Sequence, residues 1–206
     1  MLLTSTTLND QAFIELLSKT IEMKSNERKF LQGDRYVELT KKQVEDRVSQ
    51  QALQEIVASG NRNRALEDAS KYKLKMLALH DEIVQAAKGA FRNAGLIQPT
   101  DSLIMSGNGY YPQNTYMGWH TNACTAGVRI YCNWASEACQ SGLHYWYEGS
   151  GLPVRTAWDD KGWNFRMFST DEELPFWHAV FSYAERISVG FRVIPELEEK
   201  VIEGTE

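Results

Sequence analysis

Residues 115–135 read TYMGWHTNACTAGVRIYCNWA. Two short runs rich in aromatic and β-branched residues, TYMGWHT and GVRIYCNWA, flank a small polar stretch, as two strands joined by a turn or loop do. The same texture continues on both sides. Upstream lies SLIMSGNGYY (102–111); downstream lie GLHYWYEG (142–149), VRTAWDD (154–160), WNFRMFS (163–169), WHAVFSY (177–183) and RISVGFRVI (186–194). Eight such runs, punctuated by Gly, Asn and Asp, specify an antiparallel β-sandwich or barrel.

Before about residue 96 the period changes to that of helices. Ala12, Phe13, Leu16, Leu17, Ile21 and Met23 recur at three- and four-residue steps, with Asn9 or Asp10 placed to cap the start. A second helix is expected over about 40–58, stopped by Ser59-Gly60. A third is expected over about 64–93, presenting Leu74, Leu77, Leu79, Ile83, Val84 and Ala87, with Gly95 at its C-terminal cap. The expectation is one α+β domain over 1–206: a helical layer (1–96) packed on one sheet, a β-core (97–195) and an acidic tail (196–206).

Composition narrows the function. Hydrophobic residues make up 43% and aromatics 11% of 206 residues, which supports a packed core and excludes a disordered chain. The net charge of −5 offers no general attraction to phosphate backbones or anionic membranes, so nucleic acid is not the expected partner. No apolar run of roughly 18 residues is present, so no membrane span is expected. The opening MLLTSTTLNDQ lacks the basic and apolar regions of a signal peptide. Cys124, Cys132 and Cys139 show neither CxxC nor zinc spacing and read as buried, reduced thiols. A cytoplasmic protein is the expectation.

Four histidines occur, at 80, 120, 144 and 178. His120 and His178 fall in separate strand-like runs, and Arg186-Ile187-Ser188 begins eight residues after His178. A non-haem Fe(II) site needs two imidazoles and usually a carboxylate on one face of the metal, the other face being open to an oxo-acid and O₂. An arginine deeper in the barrel can then pair bidentately with the far carboxylate of the oxo-acid, assisted by a hydroxyl.

These residues, in this order, resemble the 2-oxoglutarate/Fe(II) dioxygenase superfamily, and within it the prolyl-hydroxylase branch. Tyr111-Pro112 stands nine residues before His120, Tyr131-Cys132-Asn133 is similar to that branch's Tyr-Leu-Asn strand, and Gly142 precedes an aromatic strand. The resemblance covers Tyr111 to Arg192 and does not reach the helical half. It implies a double-stranded β-helix (jelly-roll, cupin-like) core, with Fe(II) held by His120 and His178. Arg186 and Ser188 would hold the outer carboxylate of 2-oxoglutarate, with Tyr111 and Tyr131 lining its pocket. Arg186 to Arg192 also matches the Arg-x₅-Arg of AlkB-type nucleic-acid demethylases, in which the second arginine reaches the co-substrate. The implied activity is hydroxylation of a small-molecule or peptide substrate, with O₂ consumed and succinate and CO₂ released.

One position departs from the pattern. Asn122 stands where the family carries Asp or Glu. It can ligate as a neutral amide, leave the position open to water, halide or substrate as in the halogenase branch, or mark a barrel that binds metal or ligand without turnover. Other residues carry plainer readings. His80 reads as structural, and His144 as core or substrate pocket. The Trp residues read mostly as core, with one or two walling a substrate pocket. Asp159-Asp160-Lys161-Gly162 reads as a turn, either Asp being a remote stand-in for the missing ligand. Strand alternation admits only one of Tyr110 and Tyr111 to the interior.

Overall fold

The alternation in residues 102–194 becomes eight strands in two facing sheets. The computed structural model describes residues 2–22, 28–30, 39–60, 69–70, 72–74, 79–122, 125–171 and 173–196. In chain order the elements begin with β1 (Thr4–Thr6), α1 (Gln11–Ser18), β2 (Arg28–Phe30), α2 (Lys41–Arg47), α3 (Gln50–Ala58), β3 (Ala69–Ser70), β4 (Tyr72–Leu74) and α4 (His80–Asn93). There follow β5 (Ser102–Tyr111), β6 (Thr115–His120), β7 (Gly127–Ala135) and β8 (Ser141–Tyr147). Last come β9 (Arg155–Trp158), β10 (Gly162–Thr170), β11 (Phe176–Ser182) and β12 (Arg186–Ile194).

The larger sheet runs β1-β10-β7-β12-β5-β4-β2 and the smaller β3-β6-β11-β8-β9. Of the eight strands β5 to β12, β5, β7, β10 and β12 lie in the larger sheet and β6, β8, β9 and β11 in the smaller, and every pairing among them is antiparallel. That strand order makes the core a double-stranded β-helix.

Each sheet has a dry outer face. Ile187, Val189, Phe191 and Val193 of β12 pack with Phe13, Leu17, Ile83, Ala87 and Phe91 of α1 and α4. Phe91 sits edge-on between Phe13 and Phe191, at centroid distances of 5.6 and 5.4 Å. On the smaller sheet, Tyr116, Trp119, Trp177, Ala179 and Phe181 pack under Val44 of α2, Val48 at its C-cap, and Leu53 and Ile56 of α3. The helices therefore cover both sheets, which corrects the expected one-sided layer. Two outer faces this apolar cannot both face water.

The expected helix over 40–58 is two helices. Thr40 closes a capping box with Gln43 at the start of α2, and Ser49 caps α3 through Ala52 N at 3.1 Å. The break is used: the Ser49 carbonyl accepts from Trp119 Nε1 at 2.9 Å. The third helix is shorter than its apolar spacing suggested, because Ala69–Ser70 and Tyr72–Leu74 pair as strands with β6 and β5. Sheet edges in need of a neighbour outcompeted helix periodicity there. Asp10 caps α1 through Phe13 N at 3.0 Å. Gly95, at φ +68°, ends α4, with Gly95 N bonded to Arg92 O and Leu96 N to Phe91 O at 2.9 Å each. Gly33 and the tail from 197 onward lie outside the described residues.

Candidate active site

β6 and β11 lie side by side, and His120 pairs directly with His178. Simple alternation would put Met117 and His120, three residues apart, on opposite faces. A β-bulge prevents this: Val180 pairs with Met117, so Gly118 and Trp119 together oppose Ala179. The extra residue turns His120 inward beside Met117 while Trp119 stays outside under α2 and α3.

The two imidazoles are nearly sealed from water, at 4% and 3% exposure, with ring centroids 4.0 Å apart. His120 Nδ1 lies 2.8 Å from Gly118 O, and His178 Nδ1 lies 3.1 Å from Phe176 O. A carbonyl oxygen only accepts, so both Nδ1 atoms carry the proton and both Nε2 atoms present a lone pair. Burial, and then the neighbouring His120, holds the His178 imidazole well below its usual 6.5. It is neutral at pH 7, as a metal ligand must be. Phe176 stacks on His178 at 5.1 Å, and Phe168 adds a second aromatic wall at 5.4 Å.

Asn122 follows β6 in a left-handed conformation, φ +56°, which Asn tolerates better than most residues. Its Nδ2 lies 3.2 Å from His178 Nε2. The amide thus sits at the two-histidine face. Among the described residues no three of His, Cys, Asp and Glu gather around a common point, so no carboxylate replaces the one the sequence lacks.

The histidines open on a cavity that reaches the other end of the barrel, lined also by Tyr111, Tyr131, Asn133, Arg166, Arg186 and Ser188. Arg186, 2% exposed, donates through Nε to Asp159 Oδ2 at 2.8 Å. Its guanidinium lies over the Tyr111 ring at 5.3 Å. Its Nη1 is buried with no hydrogen-bond partner. Tyr111 faces inward, whereas Tyr110 turns into the helix-covered core and donates to Glu185. Ser188 lies beside Asn133 across β12 and β7, and Gly190 beside Tyr131. A Cβ on Gly190 would stand 2.5 Å from the Tyr131 ring, so only Gly at 190 lets that ring lie flat across β12.

Arg192 pairs across the sheet with Arg129 and does not line the cavity. The second arginine on its wall is Arg166 of β10, absent from the sequence reading because its run, WNFRMFS, looks like any half-buried strand. Asp159 lies in a run with the composition of a turn. It is fully buried, accepts from Arg186, Arg166 and Ser141, and does not approach the histidines as a stand-in ligand. Burial by itself would raise its carboxyl; Arg186 and then Arg166 outweigh burial and hold it at about 2. The signal that could have found this pair was arithmetic: two arginines on inward positions of β10 and β12, the two strands that flank β7, require a buried anion.

The remaining residues fall into structural places. His144 lies on the outer face, stacked on Phe181 at 4.5 Å and bonded to Thr156 Oγ1 at 2.8 Å. Burial lowers it to about 4. His80 begins α4, beside Asp81. None of the Trp residues lines the cavity. Cys132 is buried, with burial pushing its thiol up; Cys139 is exposed, contrary to expectation, because it sits in the turn between β7 and β8; Cys124 lies outside the described residues.

No family model and no curated protein matches the chain. Its similarities are to solved structures. An oxidoreductase of the 2OG-Fe(II) oxygenase family from Burkholderia pseudomallei aligns over 92% of this chain and 94% of its own, at 10% identity and a TM-score of 0.44. A prolyl hydroxylase from Trichoplax adhaerens, solved with a hypoxia inducible factor oxygen degradation domain peptide fragment, aligns over 93% and 94%, at 12% and 0.38. A Pseudomonas putida prolyl-4-hydroxylase aligns over 87% and 98%, also at 12% and 0.38.

The donor set fits a divalent metal at two positions through the Nε2 atoms of His120 and His178, with the neutral Asn122 amide at the third. The far end fits a carboxylate, because a buried guanidinium with an unpartnered N–H calls for an anion.

Proposed function

We propose that the protein is an Fe(II)- and 2-oxoglutarate-dependent oxygenase acting on a small molecule or peptide. His120 and His178 would hold the iron and Asn122 its third position. Iron bound there supplies the O₂ chemistry that couples oxidation of 2-oxoglutarate to succinate and CO₂ with hydroxylation of a C–H bond. The protein's own residues bind and orient. Arg186 receives the outer carboxylate through Nη1, Ser188 adds a hydroxyl, and Tyr111 and Tyr131 shape the channel between them. Phe168 and Phe176 keep water from the histidines.

The observation that carries this reading is the unpartnered Arg186 Nη1 in the same cavity as two buried histidines whose Nδ1 atoms are held by backbone carbonyls. Anaerobic titration with Fe(II), with and without 2-oxoglutarate, tests binding; succinate release under O₂ tests turnover. The reading predicts that 2-oxoglutarate and metal each tighten the other's binding and that succinate accumulates. Independent or absent binding rejects it. Among the described residues no helix is long and apolar enough to cross a membrane, and the proposed place of action is the cytoplasm, where the buried Cys132 thiol stays reduced.

A second reading, a barrel that binds metal and ligand without turnover, is favoured by Asn122 alone. The same titration addresses it. Asn122→Asp keeps the shape, tolerates φ +56° comparably and restores a negative charge beside the cation. It is expected to tighten Mn(II) binding by about 10-fold, the order of one charge-assisted contact. Equal or weaker affinity would remove residue 122 from the metal site.

A further inference from the structure

Two arginines and one carboxylate close the far end of the cavity. Asp159 lies in the link between β9 and β10 and is held by its own backbone: its N donates to Ser141 O, and its O accepts from Cys139 N, both at 2.9 Å. Its Oδ2 accepts from Arg186 Nε at 2.8 Å and Ser141 Oγ at 2.7 Å, and its Oδ1 from Arg166 Nη1. Arg166 Nη2 is in turn fixed on Trp158 O at 2.7 Å. Two donors remain buried without a hydrogen-bond partner, Arg186 Nη1 and Arg166 Nε. Two cations less one anion leave a single uncompensated positive charge, and both arginines line the cavity. Uncompensated buried charge is costly, so the ligand group that fits this subsite brings one negative charge, neither none nor two.

We propose that Asp159 is a positioning residue that aims Arg186 into the cavity and sets this subsite's net charge at +1, so that the subsite selects a singly charged carboxylate group over a doubly charged group. The inference rests on the reading that the cavity takes 2-oxoglutarate, and it adds Arg166 as the source of the spare charge. Removing Asp159's charge makes the subsite +2 and suits a doubly charged group. Removing Arg166's makes it neutral and suits no anion, although Arg186 and its bond to Asp159 remain.

The test is binding, without oxygen and with Mn(II), of 2-oxoglutarate and of its analogue bearing a phosphonate in place of the outer carboxylate, at a pH where the phosphonate is a dianion. Four proteins are compared: the parent, Asp159→Asn, Arg166→Met and the double variant. The parent is expected to prefer 2-oxoglutarate by about 10-fold or more, and Asp159→Asn to lose or invert that preference. Arg166→Met is expected to weaken 2-oxoglutarate by about 10-fold or more. The double variant, again +1, is expected to recover part of what Arg166→Met loses. A purely structural role for Asp159 would lower the melting temperature and leave the preference unchanged.

An unchanged preference in folded Asp159→Asn, parent-like binding by Arg166→Met, or no recovery in the double variant overturns the proposal and leaves the oxygenase reading standing. A parent that binds neither ligand overturns both. If Asp159→Asn shows no cooperative melting, Arg166→Met and the double variant decide.

Discussion

His178→Ala is expected to abolish Fe(II) binding while the barrel stays folded. Removing partners outside the ligand set of a metal site commonly costs about 10–100-fold in affinity, and removing one of only two strong donors should cost more. Here nothing stands in reserve, because the third position is an amide and no further His, Cys, Asp or Glu converges on the site among the described residues. The fold pays little by comparison. The imidazole is neutral in place, so its loss strands no charge. It removes one hydrogen bond to Phe176 O, on the order of 1–3 kcal/mol with the carbonyl left unsatisfied. Calorimetric titration without oxygen, alongside a melting curve, reads both quantities. Parent-like iron affinity in a folded variant would dismiss His178 as a ligand.

Arg186→Lys carries the second large effect, on 2-oxoglutarate. A guanidinium can bond Asp159 through Nε and still offer Nη1 to the cavity; an ammonium has one nitrogen to aim. Paired with Asp159, the lysine would be drawn away from the ligand. A weakening of about 10-fold or more is expected, on the order of 1.5–3 kcal/mol. Arg166 still satisfies Asp159, so the protein should remain folded. Co-substrate binding measured on both proteins at saturating Mn(II) decides the matter. Equal affinity would mean that the ligand is anchored elsewhere.

The strands were legible because each side of both sheets imposes its own chemistry. RISVGFRVI alternates Ile187, Val189 and Phe191 toward the helices with Arg186, Ser188 and Gly190 toward the cavity, and that alternation is written in the residues. His120 shows the limit. Its inward aim depends on an extra residue between Met117 and His120, and a bulge leaves no mark in a period-two pattern. Asp159 shows another. Its partners lie seven and 27 residues ahead on two strands, and DDKG carries the composition of an ordinary turn. In the helical half, apolar spacing over 64–93 suited a helix, but pairing of 69–70 and 72–74 with the sheets is a long-range preference that local periodicity does not register. Ser49 was visible as a polar residue inside a helical pattern; that Trp119 would need its carbonyl was not.

β12, the last strand among the described residues, lies between β5 and β7, both made before it. During synthesis the two therefore wait, each with an unpaired edge, until residues 186–194 clear the ribosome. The nascent chain holds His120 before it holds His178 and Arg186. Until then the apolar faces of α1 and α4 have no completed sheet to cover, and the unfinished edges are surfaces for a chaperone or for another chain. A chain stalled before residue 186 would thus be an aggregation-prone half-barrel, one the cell's quality control is built to remove.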